Sequence, residues 1–159
     1  MIPDRKRNRL ADYNYSQPGA YFITVCTQDK TCILSTVVGG DAHIAPYPQL
    51  TTAGKTVEKY LQRIPGIGEY VIMPNHVHMI LRISAHSPQE GPMWALAPTK
   101  ASIPTLIRSW KTLVSKELGT GIWQRSYYDH VIRDQEDYVV KAQYIADNPA
   151  KWAEDDYFV

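Results

Sequence analysis

Apolar residues along this chain follow two spacings, one of period two and one of three to four residues. The first spacing is typical of strands and the second of amphipathic helices. The pattern predicts strands at 21–27, 32–38, 69–73, 76–83 and 123–132. It predicts helices at 52–64, 103–118 and 135–148, and it leaves 39–48 irregular.

Individual residues mark where the predicted helices begin and end. The side chains of Thr51 and Asp134 can accept hydrogen bonds from the first turn of a helix. Gly119 suits the left-handed position that follows a last turn. Pro149 disfavours helical backbone angles at Asn148, so the last helix is predicted to end there.

The predicted elements follow the order β, β, α, β, β, α, β, α, without internal repeats. This order indicates an α+β fold in which helices pack on one largely antiparallel sheet. The 159 residues are enough for one core, so a single domain is predicted over 1–159. Residues 84–100 are rich in Ser, Pro, Gly and Ala and are predicted to form a flexible loop.

Composition excludes several classes of protein. An apolar fraction of 44% with 21% charged residues is ordinary for a globular protein and argues against a disordered or fibrous chain. No apolar run is long enough to cross a bilayer, so a cytoplasmic location is expected. Cys26 and Cys32 lack the spacing of metal ligands and are expected to be reduced.

Charge is nearly balanced overall but unevenly distributed. The formal net charge of +1 gives only weak support for a nucleic-acid partner. A basic arm at 1–15 contrasts with an acidic tail at 152–159, and further basic residues lie on the helix predicted at 103–118. Solvated surface is the alternative for any single charge. The basic residues predicted to contact DNA are Arg5, Lys6, Arg7, Arg9, Arg108 and Lys111.

Two histidines stand two positions apart on a predicted strand. His76 and His78 therefore point to the same face, about 7 Å apart, while Val77 and Met79 point to the other. Paired neutral imidazoles are good ligands for a divalent ion, and a third ligand with open positions would make the site catalytic. The alternative is a pair of hydrogen-bonded or exposed histidines, since this spacing is common.

Tyr144 and Asn148 lie four positions apart on the last predicted helix and so share one face. The Asn148 carbonyl oxygen can bind a cation beside the phenol. A phenol with a pKa of about 10 is a poor nucleophile unless its proton is accepted or its target is made more electrophilic. A metal ion on a phosphate oxygen has the second effect. Position alone favours a half-buried aromatic instead, because the chain has eleven tyrosines.

Trp123, Gln124 and Arg125 begin the last predicted strand. An aromatic ring beside a cation can stack on unpaired bases and hold phosphate, which is how single strands are usually bound. Burial of Trp123 in the core is the alternative.

Three motifs together carry a family resemblance. His76-Val77-His78, preceded by Met-Pro-Asn, resembles the His-hydrophobic-His signature of the HUH nucleases. WQRSYYDH at 123–130, then Asp137-Tyr138, then YIADNPAK at 144–151, resemble the REP-associated branch of the single-tyrosine transposases. The resemblance spans 21–151, and the motifs stand in the family's order.

The resemblance implies a ferredoxin-like domain that cleaves single-stranded DNA beside a hairpin. It implies a covalent 5′-phosphotyrosine intermediate with a free 3′-hydroxyl, acting in a monomer or homodimer away from membranes. Tyr144 takes the position of the nucleophile, His76 and His78 those of the metal ligands, and Asn148 that of the third ligand. Mg²⁺ or Mn²⁺ is the expected cofactor, although imidazole ligands also suit Zn²⁺.

Two other functions remain open from the sequence. The chain could be a regulator that binds hairpin DNA without cutting it, which the modest net charge and the Asn148 ligand would suit. It could also be a metallohydrolase that uses His76 and His78 without a covalent intermediate. Tyr127, Tyr128 and Tyr138 are alternative nucleophiles, but none has a possible ligand four residues later that is followed by proline.

Overall fold

The computed structural model describes residues 13–15, 18–84 and 102–159. Their strands are β1 (Gly19–Cys26), β2 (Ser35–Val38), β3 (Tyr47–Leu50), β4 (Ile67–Ile72), β5 (His76–Ile83) and β6 (Tyr128–Ile132). Their α-helices are α1 (Thr52–Leu61), α2 (Ile103–Leu118) and α3 (Gln135–Asp147). Short 3-10 helices span Gln28–Lys30 and Pro149–Glu154.

Four strands form the main sheet in the order β4-β5-β1-β6, and every neighbouring pair is antiparallel. Between β1 and β4 the chain forms the separate β2–β3 ribbon and then helix α1. Helix α2 lies between β5 and β6. This β-α-β-β-α-β arrangement is the ferredoxin-like topology. The predicted α+β class and the implied ferredoxin-like fold are therefore confirmed.

The two faces of the sheet bury different kinds of side chain. Val77, Met79 and Leu81 of β5 belong to the main apolar core, which also contains buried side chains of α1 and α2. Ile80 of the same strand packs in a smaller cluster on the opposite face, together with Ile145 of α3. Because side chains alternate along a strand, His76 and His78 share this second face with Ile80.

The predicted starts of α1 and α3 and the predicted end of α2 are confirmed by hydrogen bonds and backbone angles, whereas α1 ends at Leu61 and not at the predicted residue 64. The Thr51 hydroxyl accepts from the Gly54 N–H at 3.1 Å, and the Asp134 carboxylate accepts from the Asp137 N–H at 2.7 Å. Gly119 ends α2 with a left-handed φ of 76°. These contacts satisfy backbone groups that a helix end leaves without intrahelical partners.

Two strands were predicted to begin at least three residues too early, and one strand was missed. Strand β2 begins only at Ser35, and β6 only at Tyr128, with Trp123 joined to Thr27 by an isolated bridge. The stretch predicted to be irregular contains β3, which pairs with β2. Proline is rare inside sheets, but β3 belongs to a two-stranded ribbon, where Pro48 need not donate to a ladder on its free side.

The reason given for the end of the last helix was also wrong, although its position was right. Asn148 keeps helical angles, with φ −57° and ψ −43°, and its N–H donates to the Ile145 carbonyl. The chain continues into the 3-10 helix Pro149–Glu154, in which Pro149 occupies the first turn, where it needs no N–H partner. The preference of a residue before proline is overridden here by the continuing turns.

Some predictions fall outside the described residues. They include the basic arm with Arg5, Lys6, Arg7 and Arg9, and residues 85–100 of the predicted loop. Within the described residues, no helix is both long and apolar enough to span a bilayer. Cys26 is buried and Cys32 exposed, and both are free thiols, as expected.

Replacing Gly54 with alanine is predicted to lower the free energy of unfolding by about 1–3 kcal/mol. A Cβ atom at Gly54 would stand 1.9 Å from the Leu34 carbonyl oxygen, so α1 would have to move away from the β2 segment. Helix propensity favours alanine by about 1 kcal/mol, and we expect the clash to outweigh it. Urea unfolding followed by circular dichroism measures the change.

Gly121→Ala is the matched control, because a Cβ atom there meets nothing within 4 Å. It should leave the free energy of unfolding within about 0.5 kcal/mol of the parent protein or raise it slightly. Equal stability of both variants would contradict the close approach of α1 to Leu34.

Candidate active site

Two buried imidazoles lie side by side on the sheet face that packs against α3. His76 and His78 are 0% and 1% exposed, and their ring centroids are 4.5 Å apart. The strand alternation predicted this common orientation, and the structure confirms it. Unpartnered polar groups are costly in such a position, so the nitrogen contacts of the two rings decide what the site can do.

The tautomer of His76 is fixed by its neighbour Asn75. The Asn75 amide nitrogen donates to the Tyr157 carbonyl at 2.7 Å and to the Lys30 carbonyl at 3.3 Å. The Asn75 side-chain oxygen is therefore left to accept from His76 Nδ1–H, at 2.8 Å. A proton on Nδ1 leaves the lone pair on Nε2, which is the arrangement that a metal-binding histidine requires.

His78 is held from the neighbouring strand. Its Nδ1 lies 2.7 Å from the Thr24 hydroxyl, and its ring stacks on Phe22 with centroids 5.4 Å apart. Thr24 and His78 are direct partners in the β1–β5 register, which explains the short contact. When the hydroxyl accepts from Nδ1–H, Nε2 of His78 also carries a lone pair.

Burial keeps both rings neutral at pH 7. Burial lowers the pKa of His76 to about 4, with the nearby Asn148 amide opposing the change. Burial, with the charges of His76 and Lys141 adding to it, lowers the pKa of His78 well below its usual value. A histidine must be neutral to bind a metal, so no proton has to be removed here at neutral pH.

Three buried acceptor atoms face the same side without partners. Within the described residues, His76 Nε2, His78 Nε2 and Asn148 Oδ1 form no hydrogen bond of normal geometry. Asn148 is 2% exposed at the end of α3. Leaving such atoms unsatisfied costs about 1–3 kcal/mol each. A divalent cation would satisfy them together, so the residues present fit the metal that the family resemblance implies.

Sequence reasoning missed a fourth potential ligand, Asp155. It was assigned to an acidic tail, yet its side chain is only 5% exposed and its Oδ2 lies 3.9 Å from His76 Nε2. The ligand atoms of His76, His78 and Asp155 all lie within 4.8 Å of one another. Burial raises the pKa of the Asp155 carboxyl. Only the folding of 149–157 back onto the sheet brings it here, and no local spacing indicates that.

Tyr144 lies beside the histidines, as its position on the helix allows. Its ring centroid is 5.2 Å from that of His78, and its side chain is 42% exposed. Burial raises the pKa of the Tyr144 hydroxyl, the charge of Asp155 raises it further, and the Asn148 amide lowers it. The phenol is thus protonated at neutral pH, open to solvent and adjacent to the potential metal ligands.

The other tyrosines named as possible nucleophiles lie elsewhere. Tyr138 donates to the Glu69 carboxylate and accepts from Arg82, at the far end of α3. Tyr127 is buried in the main core, and Tyr128 begins β6. No ring contact joins any of them to His76 or His78 among the described residues. Tyr144 is the predicted candidate that the fold brings to the histidine pair.

Four of the predicted DNA contacts come together at two clefts. One cleft of about 600 Å³ is lined by Lys111, Trp123, Gln124 and Arg125, with residues of the α2 C-terminus. A second of about 900 Å³ lies between the same 123–126 segment and residues 28–30. Trp123 is half-buried against Trp110, with centroids 4.8 Å apart, so it serves the core and also lines both clefts.

Arg108 lies outside both clefts, and Lys111 has a hydrogen-bond partner within the protein. Arg108 is exposed on α2, one turn before Lys111, and lines neither cleft. Lys111 donates to the Gln124 carbonyl at 2.8 Å, which ties α2 to the 123–126 segment. Arg125 is exposed and open to a phosphate.

Comparison with known proteins gives relatives over nearly the whole chain. No protein-family model matches it. An uncharacterized protein of Haemophilus influenzae is 31% identical over 179 aligned positions, covering 99% of this chain and 95% of that protein. A putative REP-associated tyrosine transposase of the same organism is 28% identical, covering 87% of this chain and 74% of that protein.

A solved structure supports the fold. The structure of a REP-associated tyrosine transposase bound to a REP hairpin superposes with a TM-score of 0.59 and 20% identity. It covers 89% of this chain and 74% of that protein. At this identity the similarity establishes the shared architecture, and the roles of individual residues must be argued from their own contacts.

Without metal, the stability of the protein is predicted to fall as the pH is lowered from 7 to about 4. His76 has a folded pKa of about 4, against about 6.5 when unfolded. The unfolded chain therefore binds a proton in this range that the folded chain does not. The stability from neutral His76, present above pH 6.5 and lost as the pH approaches 4, is on the order of 3 kcal/mol.

Urea unfolding in EDTA at several pH values between 4 and 7.5 measures this dependence. His76→Phe should give a flatter curve, because the phenyl ring takes up no proton. His43→Gln, at an exposed loop position, should keep the slope of the parent protein. Equal slopes for His76→Phe and the parent protein would show that His76 is not the group responsible.

Proposed function

We propose that this chain, which is similar over most of its length to a putative REP-associated tyrosine transposase, is a metal-dependent transesterase that cuts single-stranded DNA beside a hairpin. One observation carries the proposal. The exposed phenol of Tyr144 lies against His78, next to three buried acceptor atoms that form no hydrogen bond within the part of the chain that the structure describes. A hairpin substrate is supported by the related transposase that was solved with a REP hairpin.

The residues that would hold the metal are His76, His78 and Asn148, through Nε2, Nε2 and Oδ1. Asn75 and Thr24 orient the two rings through their Nδ1 atoms, as outer partners of metal-binding histidines commonly do. When bound, the divalent cation, Mg²⁺ or Mn²⁺, would make the scissile phosphate more electrophilic and neutralise charge that develops on it.

Tyr144 is the proposed nucleophile. Its hydroxyl oxygen would attack the phosphorus in line with the departing 3′-oxygen, forming the tyrosine O–P bond as the P–O3′ bond breaks. The phenolic proton leaves to solvent, and the 3′-oxygen takes up a proton to become a free hydroxyl. The products are a 5′-phosphotyrosine and a 3′-hydroxyl, and the phosphodiester energy is retained for strand transfer.

The exposed position of Tyr144 suits this reaction. A hydroxyl that must reach a phosphate in a DNA strand needs an open side, and 42% of the Tyr144 side chain is exposed. Rotation of the ring is limited by His78 on one side and by Phe22, whose centroid lies 5.9 Å away. The ring is therefore positioned while its hydroxyl stays accessible, which lowers the entropic cost of attack.

The two clefts are proposed to guide the single strand toward this site. Trp123 bridges to Thr27, and the Thr27 hydroxyl and N–H both donate to the carbonyl of Asn75, which orients His76. The clefts and the histidines thus meet at the same end of β1 and β5. Arg125 would hold phosphate, and the accessible edge of Trp123 would contact a base.

Tyr144→Phe is predicted to abolish covalent capture of DNA. The parent protein, incubated with Mn²⁺ and an end-labelled hairpin oligonucleotide with single-stranded flanks, should give a slowly migrating adduct on a denaturing gel. Phenylalanine keeps the ring contacts with His78 but has no oxygen for the bond. The adduct should fall to background while binding of the hairpin, measured by native gel, stays within about twofold.

Tyr138→Phe is the matched control, since it removes a hydroxyl from the same helix away from the histidines. It should form adduct at the rate of the parent protein. An adduct that persisted in Tyr144→Phe would refute the assignment of the nucleophile. Hairpin binding by the parent protein without scission in Mg²⁺, Mn²⁺ or Zn²⁺ would instead indicate a regulator, and free 5′-phosphate products without adduct would indicate a metallohydrolase.

Arg125→Ala is predicted to weaken binding of the hairpin oligonucleotide about tenfold, because one charge-assisted contact is lost. The slope of log affinity against log salt should become shallower by about 1. Fluorescence anisotropy at several salt concentrations measures both quantities. Arg63→Ala removes an exposed cation that lines neither cleft, and it should change neither the affinity nor the slope.

A further inference from the structure

We infer that the Asp155 carboxylate is a direct ligand of the divalent cation at His76 and His78, supplied by the segment that follows α3. The inference rests on the proposed function, because it requires that the site binds a metal. It assigns a catalytic-site role to a residue that neither the spacing nor the family motifs include. The site then has two imidazoles and one anionic oxygen, with Asn148 Oδ1 beside them.

A hydrogen bond from a nearby backbone N–H orients the Asp155 carboxylate toward the site. Asp155 Oδ1 accepts from the Tyr157 N–H at 2.9 Å, and this leaves Oδ2 toward His76 Nε2 at 3.9 Å. That separation is too long for a hydrogen bond. It does suit two ligands of one ion, since ligand atoms about 2.0–2.2 Å from a metal lie about 3–4 Å from each other.

The segment that carries Asp155 is anchored to the same residues that prepare the histidines. The Tyr157 carbonyl accepts from the Asn75 amide, and the Tyr157 ring lies 4.5 Å from the ring of His76 between centroids. The Trp152 ring lies 5.9 Å from His76. Contacts on both sides of Asp155 therefore fix its position relative to the imidazoles.

Among the described residues, no lysine or arginine forms an ion pair with the Asp155 carboxylate. Its side chain is 5% exposed, and among the described residues its ion-pair partner is His76, which burial keeps neutral. A buried carboxylate without a positive partner costs several kcal/mol. A divalent ion between Oδ2 and the two Nε2 atoms would supply that positive charge.

A carboxylate ligand also bears on which metals the site accepts. A carboxylate oxygen is the ligand type that Mn²⁺ and Mg²⁺ prefer, and two imidazoles with one carboxylate are also a common donor set for Zn²⁺. Asp155 would thus add an anionic ligand that all three ions accept, and its main effect would be on affinity.

Binding of Mn²⁺ to the full-length chain without DNA, measured by isothermal titration calorimetry, tests the inference. Asp155→Asn should weaken binding at least tenfold, because a neutral amide replaces an anionic ligand. Asp156→Asn is the matched control, since Asp156 is the adjacent exposed acid. It should bind Mn²⁺ within twofold of the parent protein. Equal affinity of Asp155→Asn and the parent protein would overturn the inference.

Two further measurements separate coordination from a structural role. In EDTA, the melting temperature of Asp155→Asn should match or exceed that of the parent protein, because a buried charge has been removed. Asp155→Cys should give a thiolate-to-Cd²⁺ absorption band that neither the parent protein nor Asp156→Cys shows, which controls for Cys26 and Cys32. Absence of this band with the fold intact would show that position 155 does not reach the ion.

The outcomes also distinguish this inference from the proposed function. If Asp155→Asn keeps full Mn²⁺ affinity while the parent protein binds Mn²⁺ and forms the Tyr144 adduct, only the role of Asp155 is wrong. If the parent protein binds neither Mn²⁺ nor Mg²⁺, the proposed metal-dependent function fails as well.

Discussion

Side chains alternate along β5, and this alternation separates the apolar core from the histidine site. The strand lies between β1 and β4 in the sheet, and the side chains of His76 to Leu81 are buried on both of its faces. One face packs with the core that includes α1 and α2, and the opposite face contains His76, His78 and Ile80 beneath α3. A shift of one residue in register would place both imidazoles in the apolar core and move Val77 and Met79 to the face beneath α3.

Burial of the histidines has a cost that the surrounding polar groups only partly offset. Asn75 and Thr24 satisfy the two Nδ1 atoms, while the two Nε2 atoms form no hydrogen bond of normal geometry among the described residues. Two buried imidazoles with unsatisfied nitrogens are a poor choice for stability alone. A bound cation would satisfy these nitrogens, so the arrangement is explained by metal binding.

A small set of hydrogen bonds around Asn75 joins the site to the rest of the molecule. Asn75 lies at the β4–β5 turn and holds His76 by its oxygen and the 149–159 segment by its nitrogen. The Asn75 carbonyl receives hydrogen bonds from Thr27, which bridges to Trp123 at the clefts. The proposed DNA path, the imidazoles and Asp155 are therefore all connected through Asn75. A change in the position of one of them can shift the positions of the others.

Local sequence patterns account for most of the helices and strands and for two pairs of residues at the site. Periodicity located the three helices and the four strands of the main sheet, because the alternation of apolar and polar residues is a local property of the chain. It also put His76 beside His78 and Tyr144 on one face with Asn148, since spacings of two and four residues fix orientation within one element. Family motifs then supplied the expectation that these two pairs meet.

Contacts between elements that are distant along the chain follow only from the tertiary packing. Local patterns missed β3, because its strand character comes from pairing with β2 and a proline obscures it. They gave no sign that Asp155 turns inward, because Glu154, Asp155 and Asp156 form an ordinary acidic run and only the packing of Trp152 and Tyr157 selects one of the three. The physical reason is that a side chain's orientation within an element follows from short-range geometry, whereas its neighbours across the fold follow from how the whole chain packs.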